Sequence, residues 1–200
     1  MLFRSARANA LAAQRGKRAD AASAPSRLPA PFARWSFDSN ARDQSGVLHA
    51  ELLGGATLRD GRLVLDGRDG YARTAPLGRE LREKTLEAWV ALADFDQRGG
   101  GVIAVETEDG VTFDAIVFAE KDPRRWMAGS NFFKRTRTVD GAAETAKPGE
   151  LVHIAIAYRG DGSISIFRNG RAYGAAYTPD RKSTRLNSSH SQQSRMPSSA

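Results

Sequence analysis

From Phe32 onward the chain runs in short apolar stretches broken by Gly, Asp or Asn roughly every 8–12 residues, the spacing of an all-β sandwich or barrel. The clearest alternation covers residues 85–92. Leu86, Ala88, Val90 and Leu92 fall on one face, and Thr85, Glu87, Trp89 and Ala91 on the other, because successive strand side chains point to opposite sides. Residues 102–106 and 112–119 read as a hairpin around Glu108-Asp109-Gly110, where the Asp-Gly pair permits the positive φ of a tight turn. A second hairpin joins 152–158 to 163–168 through Gly160-Asp161-Gly162, and Asn169-Gly170 turns the chain again into 171–177. Further strands are predicted at 33–37, 48–53, 62–65, 71–74, 125–128 and 136–139.

The two ends have a different texture. Residues 6–24 are rich in Ala and Arg and predict a short helix over 6–22, after which Pro25, Pro29 and Pro31 make a linker. Residues 180–190 show no apolar period and match the translation of a common short-read sequencing adaptor. Residues 194–200 match its far end, and residues 1–5 its opposite arm. Such scars are set apart from fold reasoning. The expectation is a sandwich over 32–179 whose C-terminal closing strands are missing, with 180–200 making no stable contact with it.

Charge alters the picture only until it is located. The chain of 200 residues carries a formal +7, which by itself suggests nucleic acid or an anionic membrane. Six Lys/Arg against one acid lie in residues 1–30, and four against one in 180–200. That leaves 20 basic and 21 acidic residues in 31–179, so the globular part has no field that steers it toward phosphates. Nucleic acid is therefore not an expected partner. The absence of cysteine removes disulfides and thiolate metal sites. No apolar run approaches the ~18 residues a membrane helix needs.

The order of motifs is more specific than any one strand. Trp35-Ser36-Phe37-Asp38 precedes Asp43-Gln44-Ser45-Gly46, then Leu63-Val64-Leu65-Asp66-Gly67 with Tyr71 close behind. Thr85-Leu86-Glu87-Ala88-Trp89-Val90 follows, and Val152–Tyr158 leads into Gly162–Gly170. This succession resembles the laminin G-like, concanavalin A-like lectin/glucanase domains of bacterial multidomain proteins. Two departures stand out: Leu151 occupies a place where the family usually has Trp, and the closing strands are not recognisable. The resemblance implies an antiparallel two-sheet jelly roll, a non-catalytic module that binds carbohydrate or protein, and a secreted, periplasmic or cell-surface setting. The alternatives are a glycan-cleaving hydrolase on the same scaffold and a structural spacer.

Candidate chemistry is sparse. Arg124, Trp126, Phe133, Lys134 and Arg135 mix basic and aromatic residues, a combination suited to stacking on sugars; the favoured reading places Trp126 and one Phe in the core with the charges solvated, and the five remain the best candidate for an exposed binding surface. Asp38, Asp43, Asp66 and Asp69 sit in Gly/Ser/Asn-rich loops and are candidates for a structural calcium, although Asp also makes turns by bonding backbone amides. No other cofactor is expected. His153 stands in a strand with no obvious partner carboxylate, so a structural role bonded to a loop carbonyl is expected. Trp35, Trp89 and Tyr158 read as core fillers, since large aromatics dominate sandwich interiors. A retaining glycosidase needs two carboxylates roughly 5 Å apart, and the Glu-x-Asp-x-x-Glu pattern of hydrolases on this fold is missing. Glu106 and Glu108 have the spacing but run into a turn.

Overall fold

The computed structural model describes residues 29–179 and the backbone of residues 190–195; the helix predicted over 6–22 lies outside them. The described part is built from antiparallel strands in the order β1 (Ala50–Leu53), β2 (Thr57–Arg59), β3 (Arg62–Val64), β4 (Tyr71–Thr74), β5 (Lys84–Ala91) and β6 (Gly101–Thr107). There follow β7 (Phe113–Phe118), β8 (Trp126–Ser130), β9 (Leu151–Tyr158), β10 (Ile164–Arg168), β11 (Arg171–Ala172) and β12 (His190–Arg195). They form a larger sheet in the order β1-β4-β12-β6-β7-β8, a smaller sheet in the order β11-β10-β9-β5, and a β2-β3 ribbon. The turn spacing predicts a sandwich or barrel, and this is the two-sheet antiparallel sandwich that the resemblance implies.

Alternation within each strand decides what the sheets bury. Leu86 and Val90 of β5, Val152, Ile154, Ile156 and Tyr158 of β9, and Ile164 and Ile166 of β10 point inward. They meet Val102 and Val105 of β6, Ile116 and Phe118 of β7, and Trp126 and Ala128 of β8. Ile116, Phe118, Ile154 and Ile156 are wholly excluded from solvent, each worth about 1.5–3 kcal/mol of burial. Ala115, Val117 and Met127 make a small second cluster with Ala104 and Phe113.

Three predicted strands are corrected. Residues 33–37 form no strand: the Arg34 amide donates to Asp43 Oδ1 at 2.9 Å, and Trp35 Nε1 donates to the Leu48 carbonyl at 2.8 Å. The segment is tied by these side-chain bonds and by one backbone bond, the Gln44 amide to the Arg34 carbonyl at 2.7 Å, instead of a ladder. Residues 136–139 are likewise held by side chains, Thr136 Oγ1 donating to the Ala128 carbonyl and Thr138 Oγ1 to Asp122. The stretch 171–177 is a strand only at Arg171–Ala172, plus a single bridge between Tyr177 and Ile164.

The chain end departs most from expectation. His190–Arg195 inserts as β12 between β4 and β6, antiparallel to both. Gln192 stands opposite Val105, Gln193 opposite Ala104 and Arg73, and the register shifts between Gln193 and Arg195. The expectation that 180–200 makes no stable contact with the sandwich is therefore wrong for these residues, and the larger sheet has a closing strand. Extended backbone can complete a ladder whatever its side chains, since the ladder is made by N–H and C=O groups alone.

Candidate functional site: an aromatic platform on the smaller sheet

The expected basic-aromatic surface is taken apart by the fold. Trp126 is only 1% exposed, packing 4.8 Å from the Phe118 ring. Its Nε1 donates to Glu144 Oε2 at 2.7 Å. Arg135 is also buried and donates to Asp114 Oδ1 from Nε at 2.9 Å and from Nη2 at 2.7 Å. Lys84 Nζ reaches the other Asp114 oxygen at 2.7 Å, so Asp114 holds β5 and the loop after β8 together. Neither Trp126 nor Arg135 can meet a ligand, and their assignment to a binding surface is corrected. Arg124, Phe133 and Lys134 do reach solvent. Arg124 lies 5.2 Å over the Phe95 ring and donates to the Glu144 carbonyl. Lys134 lies 5.8 Å over Phe132.

Glu144 is the most buried carboxylate described, with no exposed side-chain surface. Burial alone would raise its pKa, but Arg168, Trp126 Nε1 and the Ala146 amide together hold it down to about 2. Arg168 donates from Nε to Oε2 at 2.9 Å and from Nη2 to Oε1 at 2.5 Å, and the Thr145 and Ala146 amides donate to Oε1 at 2.8 Å. Every lone pair is engaged and no substrate can reach it. This is a structural anchor that no sequence pattern announced.

The four loop aspartates do not converge. Asp43 accepts from the amides of Arg34, Ser45 and Leu48. Burial works to raise its pKa, and those amides bring it below the ordinary value. Asp66 Oδ1 accepts from the amides of Arg68 and Gly70, and Asp69 Oδ1 from that of Gly55. Asp38 stands apart, beside Gly61. Among the described residues no three His, Asp or Glu side chains gather as a metal ion would require.

The outer face of the smaller sheet presents the constellation that sequence reasoning missed. Trp89 is 57% exposed, so its assignment to the core is corrected; Tyr158 is buried and Trp35 half-buried. Trp89 pairs across the ladder with His153, their ring centroids 4.9 Å apart and tilted by 42°. His153 Nε2 lies 2.8 Å from Glu87 Oε1. The carboxylate accepts, which places the ring proton on Nε2. The expected loop-carbonyl partner for His153 is thus replaced by a carboxylate on the neighbouring strand. The His153 amide donates to Asn169 Oδ1 at 2.9 Å, and the Asn169 amide returns a bond to the His153 carbonyl at 2.8 Å, which pins the strand beneath the ring.

Beside this trio the floor drops. Glu87 stands opposite Ala155, and Ala155 opposite Phe167; Thr85 stands opposite Ala157, and Ala157 opposite Ser165. Two alanines thus floor a narrow saucer on β9, walled by Thr85 and Glu87 on β5 and by Ser165 and Phe167 on β10, with Ala155 and Ser165 themselves buried between their neighbours. The walls are two strand spacings apart, about 10 Å. His153 closes one end. Arg159 closes the other, with Nη1 donating to Ser165 Oγ at 2.6 Å. The signal for this face was present in the alternation: Trp89 shares a side of β5 with Thr85 and Glu87, not with the leucine and valine side.

A second concavity of about 430 Å³ is lined by His49, Glu51, Arg73, Thr74, Ala75, Pro76 and Glu108. Its lining holds no Trp, Tyr or Phe, and its Arg73 stands opposite Glu51 in the β1-β4 ladder.

The comparisons with known proteins agree with the architecture. No curated protein matches the chain by sequence. Domain 4 of AbnA, a GH43 extracellular arabinanase from Geobacillus stearothermophilus solved in complex with arabinotriose, superposes with a TM-score of 0.63 at 16% identity, covering 82% of each chain. A carbohydrate recognition domain of Emp46p superposes at 0.51 and 14% identity over 82% of this chain and 89% of the other. That of Emp47p does so at 0.50 and 11% over 88% and 91%. At such identities the likeness speaks for the fold alone. A family model described as the concanavalin A-like lectin/glucanases superfamily matches residues 66–193, and with the jelly-roll sandwich beneath it the chain belongs to that superfamily.

Proposed function

We propose that this domain is a non-catalytic carbohydrate-binding module and that it binds its ligand on the outer face of the smaller sheet. One observation carries the reading: Trp89 stands largely in solvent, its ring braced by His153, with the Glu87 carboxylate alongside. A large aromatic left on a sheet face costs hydrophobic stabilisation that burial would have supplied. Such a ring stacks on the C–H face of a sugar, while a fixed carboxylate accepts bonds from its hydroxyls. The neighbouring structures, one of them holding arabinotriose, support the same ligand class. An exported or cell-surface protein is the natural setting for such a module.

A hydrolase on the same scaffold fits less well. Glycosidases pair a raised-pKa acid with a second carboxylate across the scissile bond. Glu144, the most buried acid described, is ionised, fully bonded and inaccessible, and Glu87 is paired with an imidazole. The proposal is tested by affinity electrophoresis of the full chain and of Trp89→Ala through gels containing soluble arabinan, galactan or β-glucan. Retardation of the parent by at least one polysaccharide, abolished in Trp89→Ala, is expected. Equal retardation of both proteins would place the site elsewhere.

A further inference from the structure

We infer that the platform is selective for uncharged glycan chains and that Glu87 is its specificity-determining residue, an inference that rests on the carbohydrate-binding reading above. Glu87 occupies the strand position two residues from Trp89 on the same face, about 7 Å away along β5. A ring stacked on Trp89 therefore brings its substituents over the Glu87 carboxylate. Among the described residues only Oε1 of that carboxylate is engaged, by His153 Nε2 at 2.8 Å. Oε2 remains to accept from sugar hydroxyls.

The same oxygen repels a uronate or sulfate. Two like charges at contact distance in a solvated setting change affinity by about fivefold. Among the described residues no Lys or Arg pairs with this carboxylate; its partner is the His153 imidazole. Across from Glu87 stand Ala155 and then Phe167, neither able to donate. Lys84 begins the same strand, but its Nζ is directed to Asp114 and lies over the Tyr158 ring on the inner side. Arg168 is likewise turned inward to Glu144. Among the described residues of this sheet, Arg171 shares the side of its partner Arg168, and the cation on the outer face is Arg159, whose backbone lies four residues along the β9 line from Ala155, about 13 Å. Its guanidinium is held on Ser165 Oγ, and its charge is shared with Asp161, whose pKa it helps to lower. Ser165 stands one cross-strand row and two strands away from Glu87, about 12 Å in all, beyond the screening length of about 8 Å at physiological salt, so Arg159 offsets little of the repulsion at Trp89.

The shape of the saucer points the same way. Its floor is two alanines, its walls Thr85, Glu87 and Phe167, the end beside Trp89 is the His153 ring, and Arg159 stands at the far end, held on the buried Ser165. Such a surface offers van der Waals contact and hydroxyl acceptors but no guanidinium fork for a carboxylate at the stacking position.

The test measures affinities of the full chain by isothermal titration against soluble neutral galactan and against polygalacturonate of matched length, at low and physiological salt. Neutral β-glucan and arabinan serve as further neutral probes. The expected result is binding to a neutral probe and at least fivefold weaker binding to polygalacturonate, the gap narrowing as salt rises. Glu87→Gln should weaken the neutral interaction, strengthen the acidic one and shrink the ratio between them about fivefold, while Trp89→Ala should abolish both. Equal affinity for neutral and acidic chains, or an unchanged ratio in Glu87→Gln, overturns the specificity assignment but leaves carbohydrate binding standing. No binding to any probe, or full binding by Trp89→Ala, overturns the platform reading and the inference with it. Thermal melts of both variants check folding; the two side chains are exposed, so midpoints close to the parent's are expected.

Discussion

Arg168, on the inner side of β10, grips Glu144 in a loop 24 residues earlier, with Nε 2.9 Å from Oε2 and Nη2 2.5 Å from Oε1. The pair crosses the interior because the Glu144 side chain is fully buried while a quarter of Arg168 reaches solvent. The loop between β8 and β9 is thereby fastened to the smaller sheet, and Trp126 is locked to the same carboxylate.

Acid should therefore loosen the sandwich early. With its pKa held at about 2 against an ordinary 4.5, Glu144 contributes stability that is complete above pH 4.5. That contribution is lost as pH falls from 4.5 toward 2, because the unfolded state then binds the proton first. The difference corresponds to about 3 kcal/mol. Urea unfolding of the parent should lose stability steeply across that window, whereas Glu144→Gln should start weaker at pH 7 by about 3–5 kcal/mol and change less. Parallel pH profiles for the two proteins would contradict the assignment.

Asp114 is the second buried anchor, bonded to both Lys84 and Arg135. Asp114→Asn removes the charge that pairs two cations whose side chains are 7% and 9% exposed, Arg135 keeping its bond to the Phe113 carbonyl. A loss of about 3–5 kcal/mol is expected. Lys84→Met should cost less, since Arg135 still pairs with Asp114. Chemical denaturation of the two variants ranks them, and an Asp114→Asn midpoint equal to the parent's would show that the cluster adds nothing.

Phe132 and Phe133 both adopt left-handed backbone, φ 51° and 55°, and Phe132 is 82% exposed. That conformation costs a non-glycine residue roughly 1–2 kcal/mol. The turn holds because Ser130 Oγ accepts the Arg135 amide and Arg135 is itself clamped. Phe132→Gly relieves the strain while surrendering little burial, so a gain of about 0.5–1 kcal/mol is expected. A destabilised Phe132→Gly protein would mean that the exposed ring makes contacts the fold depends on.

The weight carried by β12 can be read by truncation. Ending the chain at residue 179 leaves β4 and β6 facing an empty slot, two exposed edges that invite pairing with other chains. The shortened protein should unfold at lower urea and elute partly as oligomers in size-exclusion chromatography. Gln192→Pro, which removes a backbone donor from a central strand, should shift the midpoint in the same direction. A truncated protein that is monomeric and unfolds at the parent's midpoint would show that β12 contributes no stability.

Most strands were legible because their information is local. Alternation through residues 85–92 and the Asp-Gly and Asn-Gly turns sort side chains to opposite faces without reference to the rest of the chain, and β5, β6, β7, β9 and β10 formed within a few residues of expectation. The same alternation put Trp89 beside Thr85 and Glu87. It could not say which side of β5 would be covered, because that depends on where the other sheet lies, across contacts far apart in sequence. For this reason Trp89 was read as core although it is exposed, and Trp126 stood as a candidate for both core and surface until Phe118 and Glu144 enclosed it. Arg135 looked like a solvated charge until β7 delivered Asp114, 21 residues away in sequence, to pair with it. His153 gained its carboxylate from Glu87, 66 residues earlier. The closing strand was illegible for a different reason: His190–Arg195 has no apolar period, and only the unpaired backbone of β4 and β6 marks the place it fills. Sequence periodicity thus determined the elements and the two sides of each strand, while the pairing of distant strands decided which side is interior, which charges meet and where a ligand can land.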